Sequence, residues 1–125
     1  TGTHLEKCRF RQALQSAMNL AQLTNQYLEQ KEPWRSVKTN PEEAASTLWV
    51  SISVINCLKT QFYPFLPFSS EKLHKMLGFK GSVRDTNWTW DPYEIERNQV
   101  LGKIEPLFTK LDKKIIETEM QSLVN

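Results

Sequence analysis

The fold is decided in the stretch Asn25-Gln-Tyr-Leu-Glu-Gln-Lys-Glu-Pro-Trp-Arg-Ser-Val-Lys38, where an amphipathic helix runs into a proline. Because proline disfavours helical geometry in the residue before it, we expect the helix to stop just before Pro33 and a tight connection to open at Trp34. Upstream, apolar residues recur at helical spacing from Leu5 to Gln30 without a glycine or proline. The sequence therefore predicts a helix of about seven turns that ends beside an exposed tryptophan.

A second helix is indicated by the segment Asn40-Pro41-Glu42-Glu43. It offers a capping side chain, a proline at the first helical position and acids facing the positive end of the helix dipole. Apolar residues then keep helical spacing until Pro64 ends the pattern: Ala45, Leu48, Trp49, Ile52, Ile55, Leu58 and Phe62. We expect the two aromatic residues of this series to lie in the core. Two amphipathic helices joined by about ten residues predict an antiparallel pair within an all-α bundle.

After the second helix, the segments with helical periodicity are shorter. Ser69 or Ser70 can cap a short helix that runs through Leu77 and is closed by Gly78. Periodicity then fails over residues 79–98, which predicts an irregular excursion. A terminal helix is predicted from residue 112 to residue 124, with four apolar residues on one side: Ile115, Ile116, Met120 and Leu123.

Length and composition fit a single compact domain of 125 residues, with 39% hydrophobic and 24% charged residues. No signal peptide or membrane-crossing apolar run is present, so we expect a cytoplasmic location and no membrane partner. The net charge is small, but residues 1–40 carry six cations against three acids, a local excess of +3. Positive charge in the part that holds Trp34 is compatible with nucleic-acid binding.

No constellation of catalytic residues is visible. The sequence lacks a carboxylate pair, a nucleophile with its base and a glycine-rich phosphate loop. Cys8 and Cys57 have no CxxC partner, so neither a metal site nor a disulfide is expected. His74 has no nucleophile or carboxylate near it in sequence, and we expect it on the solvated surface.

The candidate binding residues surround Trp34. An exposed indole beside Arg35 and Lys38, with Lys31 close by, offers a stacking surface and phosphate-neutralising charge for an unpaired nucleotide. Asn25 could hydrogen-bond a base or hold the backbone of the connection. Two alternatives remain open: Trp34 packs into the end of the bundle, or it acts together with a pair of tryptophans further along the chain in a helical protein-interaction module. That pair, Trp88 and Trp90, either docks the excursion on the bundle or stacks on a ligand.

Four stretches, in order along the chain, resemble the anticodon-binding domain of methionyl-tRNA synthetase, a class I aminoacyl-tRNA synthetase. They are Cys8-Arg-Phe-Arg-Gln-Ala-Leu14, the Asn-x-Tyr-Leu to Pro-Trp-Arg run that ends at Arg35, Tyr63-Pro-Phe-Leu-Pro-Phe-Ser69, and Leu101-Gly-Lys-Ile-Glu-Pro-Leu-Phe-Thr-Lys-Leu-Asp112. The resemblance implies an antiparallel helical bundle of the anticodon-binding type. It also implies that the fourth stretch returns along the bundle as a strap, with apolar contacts from Leu107, Phe108 and Leu111.

By the same resemblance, Trp34 stacks on a base of the CAU anticodon of methionine tRNA, and the parent protein joins methionine to that tRNA with ATP. The family's His-x-Gly-His motif, Lys-Met-Ser-Lys-Ser loop and zinc knuckle are absent from this sequence. Residues 1–125 are therefore expected to be a non-catalytic C-terminal fragment without the first bundle helix and without a cofactor of its own. The expected partners are the anticodon loop and the parent's catalytic domain, where ATP, and zinc as a further candidate, would bind.

Overall fold

The computed structural model describes residues 1–86, residue 95 and residues 98–124, with the backbone alone described for Val124. These residues form helices and connecting segments, with no strand among them, which confirms the predicted all-α class. The helices are α1 (Gly2–Glu6), α2 (Phe10–Lys31), α3 (Pro33–Thr39), α4 (Pro41–Phe62), α5 (Pro67–Met76) and α6 (Lys113–Val124), with a 3-10 turn at Val83–Asp85.

The first predicted helix is interrupted near its beginning, so the continuous helix from Leu5 is wrong. Cys8 has φ +54°, a left-handed conformation that separates α1 from α2. The Cys8 N–H donates to the Leu5 carbonyl at 2.9 Å and the Arg9 N–H donates to the His4 carbonyl at 2.7 Å. This pair of bonds is a Schellman motif, which ends a helix by satisfying its last carbonyl groups.

The connection at Pro33 is shorter and more regular than predicted. Helix α2 ends at Lys31, one residue beyond the predicted Gln30. Glu32 alone separates it from α3, with φ +43° and ψ +59°. Pro33 occupies the first position of α3, where its fixed φ favours a helix and its missing N–H costs nothing. The tight connection is therefore a single left-handed residue followed by a seven-residue helix.

Helices α2 and α4 form the antiparallel centre of the bundle. At one end Lys31 forms an ion pair with Glu43, and at the other the Thr1 hydroxyl donates to the Gln61 amide oxygen at 2.8 Å. Helix α4 also packs against α3 and α5. Many of the buried residues of the central pair are small: Ala13, Ala17 and Thr24 on α2, and Ala44, Thr47, Ser51 and Ser53 on α4. The larger Asn56 and Lys59 of α4 are buried as well.

Close packing through small residues moves the larger apolar side chains towards the rim of the bundle. Trp49 and Phe62, predicted in the core, are only half-buried. Leu48 is 46% exposed and Ala45 is exposed as well. The helical spacing predicted for the apolar residues of α4 is therefore confirmed, but the prediction of which of them are buried is wrong.

Helix α5 begins at Pro67, with Leu66 as its N-cap, so the predicted serine cap at Ser69 or Ser70 is wrong. The predicted end is confirmed, with Leu77 as the C-cap and Gly78 at φ +85°.

Beyond the excursion, residues 98–105 cross the end of α5, where the Gly102 N–H donates to the Met76 carbonyl at 3.0 Å. The expected contacts of the strap are only partly present. Leu107 is half-buried, whereas Phe108 and Leu111 are exposed.

The surface position predicted for His74 is wrong, because its side chain is completely buried. Its Nδ1 lies 2.9 Å from the Lys59 Nζ, and its Nε2–H donates to the Lys80 carbonyl at 3.3 Å. The imidazole stacks on Phe79 with 5.1 Å between ring centroids, and the Lys59 ammonium lies 4.2 Å from the centre of the same phenyl ring. Burial of these polar groups is compatible with stability because each has hydrogen-bond or cation–π partners.

Part of the irregular excursion is fixed to α5. The Glu71 carboxylate accepts hydrogen bonds from the Ser82 hydroxyl and from the Val83 N–H, the latter at 3.1 Å. Trp88 and Trp90 lie outside the described residues. In the part of the chain that is described, no helix combines the length and apolar character needed to cross a lipid bilayer.

Candidate nucleic-acid interface

The indole of Trp34 lies at the surface, in the first turn of α3. Its exposed fraction is 56%, which is high for the largest apolar side chain. Pro33, immediately before it, is buried, and α3 packs along α4. The helix is thus anchored through the proline while the tryptophan remains accessible. Trp34 does not plug the end of the bundle.

Two of the three candidate cations already have acidic partners. The Arg35 guanidinium is 3.2 Å from the Glu32 carboxylate, and the Lys31 ammonium is 3.7 Å from that of Glu43. All four side chains are substantially exposed, and exposed ion pairs contribute at most about 1 kcal/mol. A phosphate group can therefore replace either carboxylate at low cost.

Lys38 and Asn25 differ from this pair. Lys38 is exposed in the last turn of α3 and forms no ion pair with any described residue. Asn25 is exposed on α2, and its side chain makes no hydrogen bond within residues 1–86, 95 and 98–124. The backbone of the connection is closed instead by its own bonds, from the Glu32 N–H to the Leu28 carbonyl at 2.9 Å and from the Arg35 N–H to the Glu32 carbonyl at 2.8 Å. The amide of Asn25 is thus available to a ligand.

The five sequence-predicted residues share one end of the α2–α3–α4 unit. Lys31, Trp34, Arg35 and Lys38 fall within eight consecutive residues across the α2–α3 junction, and Asn25 lies on the last turns of α2. An aromatic surface with cations and an amide around it can stack on a base, neutralise phosphates and read a base edge.

Two surface features were not identified from the sequence as sites. An apolar groove of about 420 Å³ lies between α2 and α4, lined by Leu20, Trp49, Val50, Ser53, Val54, Cys57 and Gln61. The second feature is a basic cluster at the α1–α2 turn, formed by Lys7, Arg9 and Arg11. The basic cluster could have been found from the sequence, because it has three cations within five residues. The groove could not, because it depends on how α2 and α4 pack.

The groups with shifted ionisation lie on the α5 side of the molecule. Hydrogen bonds from Ser82 and Val83 hold the pKa of the Glu71 carboxyl below its ordinary value. The Tyr63 hydroxyl, 2.7 Å from Arg84, raises the pKa of that guanidinium further above its already high value. Among the described residues, no three His, Cys, Asp or Glu side chains are grouped closely enough to hold a metal ion.

Comparison with known proteins is consistent with this geometry. The sequence profile described as the anticodon binding domain of methionyl tRNA ligase matches residues 1–123. The methionine–tRNA ligase of Roseiflexus sp. (strain RS-1) is 37% identical over 145 aligned positions, covering 97% of this chain and 24% of that protein. The ligase of Chloroflexus aggregans is 38% identical, with 95% and 24% covered, and that of Dehalococcoides mccartyi is 37% identical, with 95% and 21% covered.

The chain spans about a quarter of the length of these curated relatives. No solved structure matches it. The profile match covers almost every residue, and it includes the α2–α3 junction that carries Trp34. On this evidence the chain belongs to the family of anticodon-binding domains of methionyl tRNA ligase.

Proposed function

We propose that the surface around Trp34 binds the anticodon loop of methionine tRNA and recognises its CAU anticodon. The observation that carries this proposal is the exposed indole on a helix whose neighbouring proline is buried. A base that leaves the stack of the loop can lie against the ring, a contact that contributes about 1–3 kcal/mol. The helix fixes the backbone that carries the ring before the RNA binds, which lowers the entropic cost of binding.

In this proposal the surrounding residues have separate roles. Arg35 and Lys31 exchange their carboxylate partners for phosphates of the loop, and Lys38 supplies a further phosphate contact. Asn25 hydrogen-bonds a base edge, which an exposed amide without an internal partner can do. Phosphate contacts fix the position of the loop, whereas stacking and base-edge contacts discriminate its sequence.

The parent protein, in our proposal, is a cytoplasmic enzyme that ligates methionine to tRNA with ATP. The relatives are methionine–tRNA ligases, of which the matched region covers 24%. Activation of the amino acid, with ATP and zinc as the candidate cofactors, belongs to a catalytic domain outside residues 1–125. The present domain contributes specificity by holding the tRNA so that its acceptor end reaches that domain.

The test compares two reactions of the full-length enzyme carrying Trp34→Ala. Methionine-dependent exchange between ATP and pyrophosphate reports the catalytic domain, and tRNA charging reports recognition. Loss of one stacked base predicts that kcat/KM for charging falls roughly 10- to 100-fold while exchange is unchanged. Phe68→Ala, which removes a ring that is 86% exposed in the first turn of α5, is the matched control and should leave both reactions intact.

Undiminished charging by Trp34→Ala would show that the anticodon assignment is wrong. If Trp34 instead anchored a protein, the domain would show no preference among anticodon stem-loops. Its binding to that protein would be lost in Trp34→Ala and would vary little with salt.

A further inference from the structure

The basic cluster formed by Lys7, Arg9 and Arg11 lies at the end of α2 opposite to Trp34. All three side chains are exposed. None of them takes part in an ion pair among the described residues, in contrast to Lys31 and Arg35. Three neighbouring cations without an acidic partner among the described residues thus lie at the end of α2 away from the tryptophan.

The backbone gives this cluster a fixed position. The Schellman bonds of Cys8 and Arg9 hold the turn closed, and the Ala13 N–H donates to the Arg9 carbonyl at 3.0 Å as α2 begins. Arg9 is the N-cap of α2, and the first turn contains no acidic residue. The positive end of the helix dipole therefore adds to the field of the three side chains.

One member of the cluster, Arg11, lies on the same side of α2 as Asn25 of the candidate interface. Arg11 and Asn25 are 14 residues apart, which at 3.6 residues per turn corresponds to about 21 Å along the axis and a rotation of only about 40°. The whole helix of 22 residues is about 33 Å long. A ligand that lies along this side passes both Arg11 and Asn25.

We infer that the basic cluster binds phosphates of the double-stranded part of the same tRNA whose loop lies on Trp34. The inference rests on the proposed function, since the loop contact is what places the RNA along α2. A duplex rises by roughly 3 Å per base pair, so the length of α2 corresponds to about ten stacked layers. The contact therefore falls beyond the anticodon loop, on paired nucleotides.

The chemistry of the cluster suits such a target. The major groove of paired RNA is too deep and narrow for side chains to read, and proteins contact paired RNA mostly through its phosphates and 2′-hydroxyls. Guanidinium and ammonium groups can therefore bind its phosphates without reading its sequence. Lys7, Arg9 and Arg11 should therefore strengthen binding to any tRNA equally and leave the choice of anticodon to the other end of the helix.

The test uses the full-length ligase with Lys7→Gln, Arg9→Gln and Arg11→Gln combined. Its matched control replaces three other exposed cations with no ion pair in the described chain, by Lys110→Gln, Lys113→Gln and Lys114→Gln. Binding is measured against salt concentration with two RNAs, the complete methionine tRNA and a stem-loop cut to about four base pairs, too short at roughly 3 Å per pair to reach the cluster.

For the complete tRNA, we expect the cluster variant to bind roughly tenfold more weakly at low salt. The slope of log affinity against log salt should become shallower by about 2 to 3, close to one for each lost phosphate contact. The short stem-loop should bind the variant and the wild type alike, and the control variant should bind both RNAs as the wild type does.

An unchanged slope for the complete tRNA would overturn the inference. An equal loss with the short stem-loop would overturn it too, because the cations would then act at long range and not by contact. An equal loss of tRNA affinity in the control variant would contradict the inference as well, because the effect would then come from the lower net charge and not from the position of the cluster. The proposed function would fail in a different way: the wild type would then bind CAU loops no better than other loops. The cluster variant is expected to keep the wild type's preference for CAU loops.

Discussion

Trp34 and His74 both carry a ring and both lie close to the end of a helix, but the protein treats them in opposite ways. More than half of the tryptophan surface is exposed, whereas the histidine is completely buried. Hydrophobicity alone would predict a buried tryptophan and an exposed histidine. The difference arises because His74 has polar and aromatic partners in Lys59, Lys80 and Phe79, while Trp34 stands on a helix anchored by the proline beside it.

The contrast separates stability from recognition. A buried polar ring is useful only if every neighbour is in place, so the α4–α5 side should be sensitive to substitution. An exposed ring that contributes little to the core can be replaced without unfolding the domain, so the effects of Trp34 substitutions should be read as effects on binding. The predictions below test this separation.

The largest effect should come from His74→Ala. The change removes an acceptor for the buried Lys59 ammonium and leaves a gap beside Phe79. We expect a loss of roughly 3 kcal/mol in the free energy of unfolding, because a buried ammonium loses a hydrogen-bond acceptor and a cavity is left. Trp34→Ala should cost less than about 1 kcal/mol, as surface substitutions usually do. Urea unfolding of residues 1–125 gives both values, and equal losses for the two variants would remove the contrast.

A smaller effect is expected from Gly78→Ala at the end of α5. A Cβ built on Gly78 would lie 2.1 Å from the Val100 carbonyl oxygen, and φ at this residue is +85°. The left-handed conformation alone costs a non-glycine residue roughly 1–2 kcal/mol. The added methyl group should also displace residues 98–105 and make them more susceptible to proteolysis.

The control for that substitution is Gly2→Ala, where a Cβ would meet nothing within 4 Å. It should leave both the unfolding free energy and the rate of proteolysis close to those of the wild type. If Gly78→Ala behaved in the same way, residues 98–105 could not be held as closely against α5 as their hydrogen bonds indicate.

The smallest effect concerns acid stability and Glu71. Its carboxylate is stabilised by donors from Ser82 and Val83, which lower its pKa in the folded state. The stabilisation is fully present above the ordinary carboxyl pKa and is lost as the pH falls through the lowered, folded-state pKa. Glu71→Gln should therefore be less stable than the wild type at neutral pH, and the two should converge in acid.

Ser82→Ala is the companion variant, because it removes the principal donor and leaves the carboxylate in place. Its stability at neutral pH should fall between those of the wild type and Glu71→Gln. Stability curves from pH 3 to pH 7 that run parallel for all three proteins would show that this carboxylate does not help to fix the excursion.

The sequence predicted best where the signals are local. Asn40 and Pro41 indicated the start of α4, and the Asn40 side chain indeed accepts from the Glu43 N–H at 3.4 Å. Pro33 indicated the end of α2 and so the accessible position of Trp34. Proline and capping residues act within one turn of the chain, so their effect can be read without knowledge of the fold.

Features that depend on distant residues were missed. The burial of His74 requires Lys59, which is 15 positions away on another helix. The pairing of Lys31 with Glu43 at the candidate site depends in the same way on how α2 meets α4. The left-handed conformation of Cys8 was also missed, since cysteine shows no preference for it and no glycine or asparagine marks the turn.

The single residue between α2 and α3 has a consequence for the speed of recognition. With Glu32 held at φ +43° and a helix on each side, the α2–α3 junction has no flexible loop that must fold before RNA can bind. The association rate should therefore be set by diffusion and electrostatic steering, and should be similar for different tRNAs. Correct and incorrect anticodons would then differ mainly in how long each tRNA stays bound.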